Sequence, residues 1–254
     1  MNFKESSNPT LSNKIFTRVG HAVNEEQMTV SGTMNKTALL LLIAILTATF
    51  VWMKFFSAVS GEEAIGLVKP WILIGSIGGL IAAFVTAFKP HLARITSPIY
   101  AALQGLFLGG ISAYAEFSYG GIVMQAVTLT MGVFVVMLLL YRSEVIRVSG
   151  KFKMIVIAAT AGIALVYLAS FIMGFFGVDM SFLHGNSWLS IGISLFVVAI
   201  AALNLVLDFD FIAQSSQNGA PKHMEWYGAF GLMVTLVWLY VEILRLLSKL
   251  ASRD

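Results

Sequence analysis

The chain has 254 residues, of which 58% are hydrophobic and 11% charged, with a formal net charge of +3 and no cysteine. Soluble domains carry about 25% charged residues, and a soluble fold of this size cannot hide so much apolar surface. The composition excludes disulfides, thiol catalysis and thiolate metal sites, and no basic stripe interleaved with aromatics points to nucleic acid.

Residues 1–36 are polar and lack the apolar core of a cleaved leader. They read as a partly disordered cytoplasmic segment ahead of a transmembrane domain over residues 37–254. Seven apolar runs follow, each close to the length that a helix needs to cross a bilayer. They cover residues 37–56, 71–88, 97–117, 121–141, 154–176, 187–207 and 226–247. The third run carries Gln104 and Glu116, the sixth ends at Asp208, and the seventh is interrupted by Thr235 and Glu242. Barrel strands alternate apolar and polar residues. The stretch Leu39-Leu40-Leu41-Leu42-Ile43-Ala44-Ile45-Leu46 does not, so the runs are helices that satisfy their own backbones in lipid. The expected fold is an all-α polytopic integral membrane bundle of seven transmembrane helices.

The basic residues set the orientation. With the N-terminus in the cytoplasm, eleven Lys and Arg fall inside and five outside. The C-terminal tail with Arg245, Lys249 and Arg253 is then outside. The loops are short, and only the segment after Asp208, through Gly219-Ala220-Pro221, has room for structure of its own. Gly75 with Gly79 and Gly105 with Gly109 recur at a four-residue spacing that lets helix backbones approach, for packing or as a hinge.

No Walker loop, His-Glu-x-x-His or Gly-x-Ser-x-Gly motif is present, so an enzyme is not expected. His21, His91, His184 and His223 all fall in tails or loops, which argues against a zinc cluster. The acids in or at the membrane remain: Glu116, Asp208, Asp210 and Glu242. Such groups are costly in a span and usually face a cavity or a partner. Glu116 suits an interfacial carboxylate. Glu242 has Arg245 three residues later on the same face, which allows an intrahelical pair, or it faces a pore. Asp208 and Asp210 read either as solvated interface or as a cation site. Phe209, Phe211 and Ile212 interleave with them and follow them, and paired carboxylate oxygens suit a hard cation such as Ca2+. No cofactor is expected, and calcium enters only as a transported ion.

These residues carry a resemblance. Leu207-Asp208-Phe209-Asp210-Phe211-Ile212, then a short loop, then Ile243-Leu244-Arg245-Leu246-Leu247 resemble the end of the Bax inhibitor (TMBIM, YccA-like) membrane protein family. Trp226-Tyr227-Gly228-Ala229-Phe230-Gly231-Leu232 and Ser97-Pro98-Ile99-Tyr100-Ala101-Ala102-Leu103-Gln104-Gly105 look like its bacterial branch, which implies a multi-pass protein of the inner (plasma) membrane. The resemblance implies a pH-sensitive calcium leak, gated by two aspartates that share a proton. Asp208 matches the first. The second falls at Thr235, so the dyad is broken here. Asp210 is a possible substitute, and Thr235, Glu242, Arg245, Glu116 and Gln104 are possible second-rank or pore residues. The leading expectation is an acid-modulated cation leak with Asp208 as the ion- and pH-sensing group, Asp210 assisting, and both in weak contact with Ca2+. The alternative is a regulatory binding protein that modulates a membrane protease or translocation complex, partnered by lipid and other membrane proteins. A secondary transporter is a third reading, which weak internal symmetry disfavours.

Overall fold

A computed structural model describes residues 26–177, 183 and 185–253. His21 and His184 lie outside the described residues. Among those residues the chain forms seven long helices: α1 Val30–Phe56, α2 Gly61–Phe88, α3 Ala93–Ser118, α4 Ile122–Arg142, α5 Gly150–Phe175, α6 Trp188–Gln217 and α7 Met224–Ala251. A single 3-10 turn, Pro90–Leu92, joins α2 to α3. Six of the seven helices are long and apolar enough to cross a membrane; α3 falls outside that set. The chain is therefore a polytopic helical membrane bundle.

Local chemistry starts the helices where polar residues interrupt the apolar runs. Thr29, Ser60, Ser149 and Ser187 cap α1, α2, α5 and α6, each accepting from a backbone N–H in the first turn. Glu116 on α3 does the same for α4. Its two oxygens accept from Gly121 N–H at 2.6 Å and Val123 N–H at 3.0 Å, across the turn where Gly121 has φ +85°.

Three boundaries differ from the sequence reading. α1 begins at Val30, so the division at residue 36 falls inside a helix. α2 begins at Gly61 and runs through Pro70. α6 does not end at Asp208; it continues to Gln217 and stops before Gly219, whose φ of +69° takes the chain out of the helix. The cause is the same each time. An apolar run marks the lipid-facing length of a helix, while capped ends and protein-buried ends extend beyond it. Phe209 and Ile212, just past the acid, are buried in the main core cluster with Leu232 and Leu236 of α7. The loop with room for structure is accordingly the short turn 218–223.

α7 is the centre of the bundle. It packs against α1, α3, α4 and α6, and half of its most apolar window is buried, against 6% for α5. α5 packs chiefly against α6 and turns Met154, Ile155, Leu165 and Phe171 outward, the face expected toward lipid.

The small residues bring α1, α2 and α3 together. A Cβ at Gly75 would lie 2.6 Å from Leu103 O and Phe107 N on α3. A Cβ at Gly105 would strike the Ala44 carbonyl and the Thr47 hydroxyl, and one at Gly109 the Ala48 carbonyl. At each position backbone atoms of the facing helix stand in the way, so these glycines set how closely the helices approach. Gly105→Val or Gly109→Val should destabilise the bundle by about 1–3 kcal/mol. Gly132→Ala, into open space, should not. Melting midpoints in detergent check this, at about 2–4 °C per kcal/mol for a domain of this size.

Candidate functional site

The two acids of α6 point in different directions, because two residues on a helix are separated by about 200°. Asp210 faces α5. Its Oδ2 meets Lys153 Nζ at 2.7 Å and accepts from Gln214 Nε2 at 2.8 Å. The two carboxylates expected to contact Ca2+ together therefore do not face a common point, and Asp210 is engaged as an ion pair between helices. Among the described residues no group of three or more His, Asp or Glu could hold a metal ion.

Asp208 faces α7. Its polar neighbour there is the Thr235 side chain. One turn earlier on α7, a Cβ at Gly231 would sit 4.0 Å from Asp208 Oδ1. Thr235 turns its own hydroxyl back to Gly231 O at 3.4 Å, a long and weak bond. Asp208 Oδ2 is buried without a hydrogen-bond partner. A carboxyl oxygen in that state is costly, and a proton or a cation relieves it. α6 thus presents to the central helix, beside Thr235, one acid with an unsatisfied oxygen.

Glu242 lies two turns further along α7. It is buried, meets Arg245 Nη1 at 3.0 Å, and accepts from the Tyr167 hydroxyl on α5 at 3.1 and 3.2 Å. The Arg245 guanidinium also lies 5.1 Å from the centre of the Tyr167 ring. The Glu242–Arg245 pair matches the spacing argument, and the third member, Tyr167, gave no sign of itself in the sequence. Glu116 is occupied in capping α4. Gln104, on α3, packs its amide against Gly79 of α2 and leaves Oε1 buried without a partner.

Sequence reasoning missed three further groups. Asn204 Nδ2 donates to Thr160 Oγ1 on α5 at 2.8 Å. Lys249 is buried and donates to Leu183 O at 2.7 Å, Ser190 O at 3.2 Å and Ser194 Oγ at 2.7 Å. The repeats Lys153–Thr160–Tyr167 and Thr235–Glu242–Lys249, at seven-residue spacing, were the available signal for these faces.

The third group is Glu225, at the start of α7. It is fully buried and binds the entrance of α1: Thr29 N–H and hydroxyl each donate to Oε1 at 2.9 Å, and Lys36 Nζ donates to Oε2. Lys222 adds a longer contact at 3.8 Å. A side chain at Gly32 would collide with the carboxylate. Beside it, residues 26–29 lie along the α6–α7 turn. Met28 N–H donates to Ala220 O at 2.7 Å, Lys222 N–H donates to Glu26 O at 2.9 Å, and Gln27 and Pro221 form an antiparallel bridge.

Glu225→Ala leaves Lys36 without its buried partner and should destabilise the protein by about 3 kcal/mol. Glu26→Ala removes only an exposed partner of Lys222 and should change stability by less than about 1 kcal/mol. Thermal melting of the two variants, side by side, reads the difference.

The model of one protein family, described as Bax inhibitor 1 like, matches residues 8–252 of the chain. No curated protein and no solved structure matches it.

Proposed function

Because the chain belongs to the Bax inhibitor 1 like family, we propose that it is a passive cation leak of the bacterial plasma membrane, with Ca2+ as the transported ion and Asp208 as the group that controls it. One observation carries the reading: Asp208 Oδ2 is buried against the central helix with no hydrogen-bond partner. The other charged groups of α5, α6 and α7 that point inward are engaged. Asp210 holds Lys153, Glu242 holds Arg245, and Lys249 holds three uncharged acceptors. Asp208 Oδ2 is left to bind a proton or attract a cation.

The sign follows from the charge. Deprotonated, Asp208 is an uncompensated anion beside Thr235 and favours a cation. Protonated, it is neutral and does not. Calcium flux into vesicles containing the purified protein should therefore rise with pH. Asp208→Asn should give low flux with a flat pH profile. Flux equal to that of empty vesicles for the wild type, across acidic to alkaline pH, would sink the proposal.

Thr235 stands where the family's second aspartate is expected. Thr235→Asp would place two carboxylates face to face across α6 and α7, and such a pair loses its protons in two coupled steps. The flux profile of this variant should spread over two steps instead of one. A profile superimposable on that of the wild type would show that residue 235 does not sense the charge on Asp208.

A second reading is a regulatory protein that binds a membrane protease or translocation complex. One observation favours it: residues 26–29 are tied to the α6–α7 turn, so a partner holding the N-terminal segment would pull on the helix that carries Asp208. Deleting residues 1–25 separates the readings, since it removes a recognition segment and leaves the leak.

A further inference from the structure

α5, α6 and α7 face one another through polar side chains at successive depths. On α5 these are Lys153, Thr160 and Tyr167. Seven residues advance a helix by about 10 Å and rotate its face by only about 20°. The three therefore lie on one face and span about 21 Å. Each meets a polar partner in order of depth: Lys153 meets Asp210, Thr160 meets Asn204, and Tyr167 meets Glu242. α7 repeats the spacing with Thr235, Glu242 and Lys249. Thr235 faces Asp208, and Lys249 returns to α6 at Ser190 and Ser194. From Asp208 to Ser190 along α6 is about 27 Å, nearly the thickness of a bilayer's hydrocarbon core.

Polar pairs between helices also serve as glue. Two features go beyond that role here. α5 packs more closely on α6 than on α7, and it reaches α7 through the long side chains of Tyr167, Glu242 and Arg245, whose polar atoms offer partners for water. The column also ends at a cavity of about 400 Å3 at the C-terminal end of α7, lined in part by Asn186, Arg245, Ser248 and Lys249. At its other end stands the unpartnered Asp208 Oδ2.

We propose that the polar seam between α5, α6 and α7 is a hydrated crossing that links this cavity to Asp208 and carries the permeant cation. The Asn204–Thr160 bond is its midpoint, and the Glu242–Arg245 pair with Tyr167 is its narrowing near the cavity. Separation of α5 from α7, with the Tyr167 contact released, widens it. The carried-ion half of this proposal rests on the leak reading of Asp208; the hydration half does not.

The chain contains no cysteine, so single cysteines report on one position each. The full-length protein in lipid vesicles, carrying Thr160→Cys, Asn204→Cys or Leu165→Cys, is treated from outside with a charged, membrane-impermeant methanethiosulfonate. Leu165 lies on the outward face of α5. The seam cysteines should react about tenfold faster or more than the one at 165, since lipid holds no water for the reagent. Modification at 160 or 204 should also cut calcium flux several-fold. Equal, slow labelling at all three positions would reduce the seam to interhelical glue and overturn the proposal. Fast labelling at 160 and 204 with undiminished flux would overturn the carried-ion half. A wild type that passes no calcium removes the leak reading, and the labelling ratio then decides the hydration of the seam alone.

Discussion

A polar group taken into the middle of a bilayer must find its partner inside the protein, because lipid supplies none. That constraint organises the lower half of the chain. Asp210 finds Lys153, Asn204 finds Thr160, Glu242 finds Arg245 and Tyr167, and Lys249 finds two carbonyls and a serine. All of these contacts but one, that of Lys249 with Leu183 O between α5 and α6, stay within α5, α6 and α7. Among the described residues, two buried side-chain oxygens are left without a hydrogen bond: Gln104 Oε1 and Asp208 Oδ2. Of these Asp208 alone carries an ionisable proton, which sets it apart from the otherwise satisfied interior.

The upper half of the bundle is held differently. Between α1, α2 and α3 the glycines Gly75, Gly105 and Gly109 let the backbones approach closely, and Val51, Phe55, Val68 and Ala113 pack as a buried cluster among them. This leaves α7 enclosed by α1, α3, α4 and α6 and able to hold polar groups out of lipid. α5 sits outside that enclosure and is joined to the bundle by polar contacts more than by buried apolar ones; Val156 and Ser170 are its buried residues. The entrance of α1 meets the turn between α6 and α7, where the Glu225 carboxylate gathers the first residues of α1.

The helices were legible because a bilayer imposes a length on an apolar run, and seven runs of that length stand in the sequence. Their ends were less legible. Capping by Thr29 and Ser60, and burial of Phe209 and Ile212 on protein, extend α1, α2 and α6 past the apolar segment that marks them. α3 shows the converse. It is central to the packing of α1 and α2, yet its Gly, Ser and Gln residues leave it outside the helices long and apolar enough to cross by composition alone. Glu242 and Arg245 could be paired from spacing, since both partners sit on one helix. Asp210 with Lys153, 57 positions apart by their numbering, could not.

By itself the sequence determined the class, the seven long helices found among the described residues, the family and the short set of acids worth attention, because composition and periodicity along one helix are local properties. The pairing of those acids was decided only by the tertiary structure. Asp208 and Asp210 look like a couple when read along the chain, but the helix turns them apart. One then meets Lys153 on the outermost helix, and the other meets Thr235 on the innermost. Which of two neighbouring carboxylates is left unsatisfied depends on which helix each one faces, and that is set by packing between elements far apart in the chain.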